Sequence, residues 1–286
     1  MSAIYQLLDF GNGRKLERFG VRLVNRPCPA ADGAPRWPGR RWEEADIAYD
    51  LTARQGWTFP HPPPDPWLIE FGPLKLQLRC TPFGHLGVFP EQAANWQWLR
   101  QIVEQATRSS SVAPIRCLNL FAYTGASTLA MAQGGGHVVH VDSSRPTLEW
   151  ARENARCNEL TASPIRWLHE DARRFVEREL RRGNRYEVIV LDPPSYGHGP
   201  KGESWSFAAD MAPLLANVFE LLSERAVAVL WTGHSDSRDL RPLVTQAAQH
   251  AASCGLDRLE DDRATIDDSA HRPLDCGYRL RWSGNR

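Results

Sequence analysis

Four segments in the second half of the chain combine residues able to do chemistry with the end of a short apolar run. The first is Asn119-Leu120-Phe121-Ala122-Tyr123-Thr124-Gly125-Ala126-Ser127-Thr128. Gly125 allows a ligand to approach the backbone closely, and Thr124 or Ser127 is placed to cap a following helix. The spacing is not GxGxxG, which argues against a dinucleotide pyrophosphate on the helix end. Asp142 lies about 20 residues further on, the separation at which a carboxylate grips a ribose diol. A carboxylate accepts two hydroxyl hydrogen bonds well; the plainer role for Asp142, with Ser143 and Ser144 after it, is a helix cap. His169-Glu170-Asp171-Ala172 offers acidic groups suited to an adenine amino group, and Asp171 suits a helix N-cap equally. The fourth segment, Asp192-Pro193-Pro194-Ser195-Tyr196, follows the fully apolar Val188–Leu191. Two prolines forbid strand continuation and fix a rigid turn that presents a carboxylate and carbonyls. Such a turn suits the orientation of an amine or a planar base.

The elements that must position these residues are legible around them. Strands are expected at Ile115–Phe121, His137–Asp142, Ile165–Glu170, Tyr186–Asp192 and Ala226–Thr232. The intervening helices fall near 126–133, 144–158, 172–182, 206–223 and 237–253. A last pair, Leu256–Asp261 and Tyr278–Trp282, closes the chain. This alternation predicts an α/β fold with a parallel sheet covered by helices on both faces. Ligands in such folds bind beyond the carboxyl ends of the strands, near the topological switch point. Ahead of it, residues 7–10 and 19–24 are expected to pair around Gly11-Asn12-Gly13. Pro60–Pro66, rich in proline, reads as a stiff connector. Residues 67–70 and 74–79 read as a half-buried hairpin, and 91–107 as a helix with Trp96, Leu99, Ile102 and Val103 on one face. The expected division is a β-rich N-terminal region with its connector over 1–66, a hairpin and helix over 67–112, and the α/β domain over 113–286.

Taken in order, the segment Asn119 to Gly125, Asp142, Asn154, the Glu170-Asp171 pair and Asp192 to Tyr196 resemble the class I S-adenosylmethionine-dependent methyltransferases. More narrowly, they resemble the group that contains the 23S ribosomal RNA cytosine-C5 and guanine methyltransferases. Leu74 to Trp98, with Gly87-Val88-Phe89-Pro90-Glu91-Gln92, resembles that group's lead-in to the fold. Leu8-Asp9-Phe10-Gly11 and Arg14-Lys15-Leu16-Glu17-Arg18 resemble a bacterial branch without the RNA-binding PUA domain. The resemblance implies a Rossmann-like sheet, mostly parallel with an antiparallel last strand, and S-adenosyl-L-methionine as cofactor. It implies that Phe121, Thr124 and Gly125 line the methionine end and that Asp142 and Ser143 serve the ribose. Glu170 and Asp171 would meet the adenine, and Asp192, with Pro193 and Tyr196, would face cofactor and substrate, Tyr196 stacking on a base.

Within that group the chain departs at one place. Cytosine C5 needs a cysteine thiolate added to the ring before it can attack a methyl group. The cytosine-C5 members carry this cysteine after the fifth strand, where this chain reads Leu230-Trp231-Thr232-Gly233-His234-Ser235. The acceptor expected here is therefore a base nitrogen of RNA, ribosomal RNA above all. His234 is a candidate substrate contact or a solvated loop residue.

Composition sets the remaining bounds. Hydrophobic residues make up 42% and charged residues 24% of the 286 residues, in the globular range. Lys and Arg total 34, as do Asp and Glu, so any RNA surface must be local. Candidate patches are Arg173, Arg174, Arg178, Arg181, Arg182 and Arg185, and Arg36, Arg40 and Arg41 among Trp37 and Trp42. The six cysteines are scattered, without CxxC, which points to reduced thiols, no metal site and a cytoplasmic protein. No run suits a membrane span or a secretory signal. A protein or small-molecule acceptor, and a non-catalytic RNA-binding role on the same scaffold, are the competing readings.

Overall fold

The computed structural model describes residues 4–39, 42–50, 56–110, 113–234 and 240–284. The chain divides into two compact units, one of Met1–Ala93 with Arg263–Cys276, the other of Ala94–Asp262 with Gly277–Arg286.

In the first unit, β1 (Tyr5–Gly11), β2 (Arg14–Phe19) and β3 (Arg22–Pro27) form an antiparallel meander. Asn12 and Gly13 both have positive φ, 51° and 70°, as a tight two-residue hairpin turn requires. The expected pairing of residues 7–10 with 19–24 is thereby corrected. The tight turn folds Arg14–Phe19 onto the first strand, and a second reversal at Gly20 starts β3. β4 (Ile47–Tyr49) and β5 (Trp57–Thr58) extend the sheet to the order β1-β2-β3-β4-β5. β6 (Leu68–Phe71) and β7 (Leu74–Gln77) form the separate hairpin that their alternation predicts, with Ile69, Leu74 and Leu76 turned inward.

Two buried carboxylates organise this unit. Glu17 accepts from Arg26 Nε at 2.5 Å, from Arg26 Nη2 at 3.2 Å and from the Tyr5 hydroxyl at 3.0 Å, with Lys15 Nζ 3.1 Å away. Asp9 accepts from Phe10 N, Trp37 N and Trp42 Nε1, and is ion-paired with Arg272.

The second unit opens with α1 (Ala93–Ser109), which buries Trp96, Leu99 and Val103. Strands and helices then alternate: β8 (Arg116–Leu120), α2 (Ala126–Gln133), β9 (His137–Asp142), α3 (Arg145–Cys157), β10 (Ile165–His169), α4 (Ala172–Arg181) and β11 (Val188–Leu191). A hairpin of β12 (Tyr196–His198) and β13 (Ser204–Ser206) follows. The chain continues with α5 (Phe207–Glu220), β14 (Ala228–Gly233), α6 (Arg241–Ser253), β15 (Arg258–Asp267) and β16 (Pro273–Ser283). The sequence reading of 237–253 as helix falls partly on 235–239, outside the described residues. The β12–β13 hairpin was not expected from the sequence.

The large sheet has the order β10-β9-β8-β11-β14-β16-β15. The first five strands are parallel, and β16 runs antiparallel to β14. Successive strands step from β8 outward to β10, and β11 then returns to the other side of β8. That reversal makes the carboxyl ends of β8 and β11 the switch point. Leu118, Val141, Ile189, Val229 and Trp231 pack against Phe175, Val176, Met211 and Val218 to form the core. Among the described residues, no helix is long and apolar enough to cross a membrane.

The Glu17 cluster yields a test of stability. Burial alone would raise the Glu17 carboxyl, but Arg26 and Lys15 overcome it and hold the group below its ordinary range. The stabilisation it carries is present above the unfolded carboxyl value of about 4.3 and is lost as pH falls below it. Arg26→Met, which leaves the carboxylate buried, is expected to cost about 3–5 kcal/mol in urea unfolding at pH 7. The difference from the wild type should shrink below about pH 4.

Candidate active site

The loop after β8 is the most distorted stretch at the switch point. Phe121, Tyr123 and Gly125 have φ of 55°, 50° and 89°. For Phe and Tyr this region costs about 1–2 kcal/mol per residue, so the surroundings must enforce it. They do so through hydrogen bonds. Ala122 N donates to Val141 O at 3.1 Å, Tyr123 N to Asp142 Oδ2 at 2.8 Å, and Asn154 Nδ2 to Thr124 O at 2.9 Å. A Cβ on Gly125 would lie 3.1 Å from the Ala151 Cβ, so glycine also permits close packing of α2 on α3. Neither Thr124 nor Ser127 caps α2, contrary to expectation. Gly125 occupies the cap position without a side-chain bond, because its left-handed turn leads directly into the helix.

Asp142 ends β9. Its second oxygen accepts from Ser144 N at 2.8 Å, so one carboxylate ties the ends of two strands. The cap of α3 is Ser144, whose hydroxyl accepts from Thr147 N at 3.4 Å. Burial raises the Asp142 carboxyl above its ordinary value, opposed by both amides and by His169. A carboxylate has about four acceptor sites, so two remain after the amides. At the end of β10, Glu170 is ion-paired with Arg178. Asp171 caps α4, accepting from Arg173 N at 3.0 Å and Arg174 N at 3.2 Å, and it also holds the Arg173 guanidinium at 3.2 Å.

Asp192 follows β11, whose Leu191 pairs in register with Leu120 on one side and Trp231 on the other. Burial raises the Asp192 carboxyl, while the charge of His234 and a hydrogen bond from Thr232 lower it. The turn's carbonyls are then used unevenly. Pro194 O accepts from Trp205 Nε1 at 2.6 Å, and Ser195 O from Phe207 N at 3.0 Å. Among the described residues nothing donates to Pro193 O. Trp205 lies against Phe121, with ring centroids 4.9 Å apart. Tyr196 opens the β12–β13 hairpin with 72% of its surface exposed. Arg173 straps that hairpin to α4 through Ser204 O and Asp210, both at 2.8 Å, and Arg174 reaches Glu203 at 3.0 Å.

Beneath the loop is a polar ladder that sequence reading missed. Asn119 Nδ2 donates to Thr128 Oγ1 at 2.9 Å, and Thr128 Oγ1 lies 2.9 Å from His140 Nδ1. Burial, with the charge of Arg152, lowers His140 to about 3. The available signal was three polar residues inside otherwise apolar runs, but their mutual contact depends on the β8–β9 pairing.

The arginine patch on α4 is largely engaged in ion pairs with Asp171, Asp210, Glu203, Glu170 and Glu179. In the first unit Arg36 lies over the Trp42 ring at 4.2 Å. Arg40 and Arg41 lie outside the described residues. All six cysteines are free. Cys117 is buried in the amino half of β8, Cys157 ends α3 and Cys254 follows α6. Among the described residues no three metal-ligating side chains gather.

A doubly wound sheet, a strained glycine loop at its first strand end and an acid at its second define a nucleoside-binding Rossmann-like enzyme fold. The chain belongs to the S-adenosylmethionine-dependent methyltransferases, whose family model matches residues 64–267. S-adenosylmethionine is accordingly its cofactor, and the close backbone at Gly125 and the two remaining acceptor sites of Asp142 fit it. A SAM-dependent methyltransferase structure from Agrobacterium tumefaciens is 33% identical, with a TM-score of 0.87 over 98% of this chain and 90% of that one. Ribosomal RNA large subunit methyltransferase I of Aeromonas salmonicida is 31% identical over 160 residues, 54% of this chain and 38% of that protein. Ribosomal RNA large subunit methyltransferase K/L of Shewanella frigidimarina is 30% identical over 156 residues, 54% of this chain and 20% of that protein. The chain thus spans between a fifth and two fifths of the length of these two curated relatives.

The ladder predicts a pH response. His140 is lowered from 6.5 to about 3, so the native state resists a proton that the unfolded chain takes up. Its contribution is intact above about pH 6.5 and is lost as pH falls toward 3, at up to about 1.4 kcal/mol per pH unit. His140→Gln should flatten that part of the stability profile in urea titrations between pH 7 and pH 4. Thr128→Val, which leaves two buried polar partners unmatched, is expected to cost about 1–3 kcal/mol at pH 7.

Proposed function

We propose that the protein transfers a methyl group from S-adenosylmethionine to a base nitrogen of RNA, with ribosomal RNA as the substrate. The observation that carries this reading is the acceptor geometry at the switch point. There Asp192, Pro193 and an exposed Tyr196 follow β11 in one short turn, with no cysteine in the sequence at the ends of β11 or β14. Relatives at about 30% identity are named as ribosomal RNA methyltransferases, which supports RNA as the acceptor.

In this reading the Asp142 carboxylate takes the ribose hydroxyls and Ser143 flanks it. Phe121, Thr124 and Gly125 line the methionine end, and Glu170 and Asp171 edge the adenine. The bound cofactor supplies an electrophilic methyl group on a sulfonium. Tyr196 stacks on the target base. Asp192 and Pro193 O accept the N–H groups of an exocyclic amine, which aims the nitrogen lone pair at the methyl group. Asp192, which accepts from Thr232 and feels the charge of His234, takes the proton the nitrogen sheds. A nitrogen needs no covalent adduct, whereas cytosine C5 needs a thiolate. Cys80 and Cys276, both in the first unit, are pushed by burial up to about 12, which leaves little thiolate at neutral pH. A protein or small-molecule acceptor is favoured by one observation, the net charge of zero.

The test is methylation of ribosomal RNA in vitro, followed by digestion and mass spectrometry of the nucleosides. An N-methylated nucleoside is expected. 5-Methylcytidine, with activity lost on mutating one cysteine, would overturn the assignment. Asp142→Ala should weaken S-adenosylmethionine binding more than tenfold in calorimetry, since each charge-assisted hydrogen bond contributes about 1.5–3 kcal/mol. Asp192→Ala and Tyr196→Ala should instead lower turnover, with a smaller loss of cofactor affinity.

A further inference from the structure

In the arginine stretch 173–185, Arg181 and Arg185 are paired with no acid among the described residues, and of the two only Arg185 lines a cleft. Arg185 donates to the adjacent Asn184 carbonyl at 2.9 Å and makes no ion pair among the described residues. It lines a cleft of about 470 Å³ in the second unit, at the amino ends of β8, β9 and β10. This is the opposite edge of the sheet from Asp142 and Asp192. The five residues of β8 alone span about 16 Å between the two edges.

Arg116, Arg166 and His137 line the same cleft, each at or next to the first residue of its strand. Arg166 is exposed and has no ion pair among the described residues. Arg116 is turned toward Glu187 at 3.0 Å, an acid it shares with Arg225 at 3.5 Å. The lining acid is Glu179, and its carboxylate is already occupied. It accepts from the Tyr186 hydroxyl and from Asn184 Nδ2, both at 2.8 Å, and from Arg182 at 3.4 Å. The Tyr186 hydroxyl, which feels the charges of Arg116 and Arg166, lines the same cleft. Val139 and Ile165 give the cleft an apolar wall. Three guanidinium groups lining one cleft, two of them without an ion pair among the described residues, favour a phosphate. The volume exceeds what a bare phosphate fills and is in the range of small-molecule sites.

We propose that this cleft binds the phosphate of a nucleotide unit, with Arg166 and Arg185 as its principal ligands. The nucleotide is either a residue of an RNA strand or a free mononucleotide. The RNA case rests on the proposed function; the free-nucleotide case does not.

The test uses the full chain saturated with S-adenosylmethionine, so that the cofactor site is filled. Binding of a labelled ribosomal RNA fragment and of 5′-AMP is measured for the wild type and for Arg166→Ala/Arg185→Ala. Neither arginine is ion-paired among the described residues, and unchanged S-adenosylmethionine affinity will verify the fold of the variant. For a phosphate of RNA, the variant should bind the fragment about tenfold more weakly. Its log K against log salt should flatten by about 1.4, the effect of two lost contacts on a single strand. For a free nucleotide, 5′-AMP should bind the wild type and lose at least tenfold in the variant. If wild type and variant bind the fragment and 5′-AMP alike, or 5′-AMP fails to bind and the fragment is unaffected, the cleft is not a phosphate site. A wild type that binds 5′-AMP in an arginine-dependent way but no RNA would uphold the cleft and count against the RNA acceptor.

Discussion

The geometry of the site depends on one carboxylate that serves two strand ends. Asp142 draws in the amides of Tyr123 and Ser144, and thereby fixes the loop after β8 against the start of α3. Without that tie, the left-handed Phe121 and Tyr123 would have a favourable route back to ordinary backbone. Burying the carboxylate is unfavourable by itself, and the two amides offset much of that cost. The residue proposed to meet the ribose is thus also the one that shapes the loop beside it.

A similar economy operates in the turn after β11. The double proline makes the turn after β11 rigid, but rigidity alone does not say which carbonyl is presented. Trp205 takes Pro194 O and Phe207 N takes Ser195 O, so of these three carbonyls only Pro193 O has no donor among the described residues. The β12–β13 hairpin that delivers Trp205 is held in turn by Arg173, which also binds the Asp171 cap. One guanidinium therefore links the third strand end, the hairpin and the first turn of α5.

The strand ends were legible in the sequence because buried parallel strands are continuous apolar runs. Val188–Leu191 ends where proline forbids extension, and His137–Asp142 ends on an acid. What remained hidden depended on partners distant in sequence. Nothing local distinguishes an arginine facing a carboxylate from one facing water, so the α4 patch looked uniform although Arg173 and Arg185 have opposite fates. Strands as short as Tyr196–His198, rich in Gly, His and neighbouring Pro, carry no periodic signal. The ladder of Asn119, Thr128 and His140 exists only once β8 and β9 are paired. In the N-terminal region the glycine-flanked turn was visible, but its two-residue length, which sets the register, was not.

The ion pair of Asp9 with Arg272 joins residues 263 positions apart within the first unit. Synthesis at roughly 5–20 residues per second therefore separates the two by about 15–50 s. Throughout that interval the Trp37 and Trp42 N–H groups surround a carboxylate whose cation has not yet left the ribosome. The β1–β3 meander therefore cannot close around Asp9 before residue 272 has been made, and until then its Asp9 side remains open to chaperones and proteases.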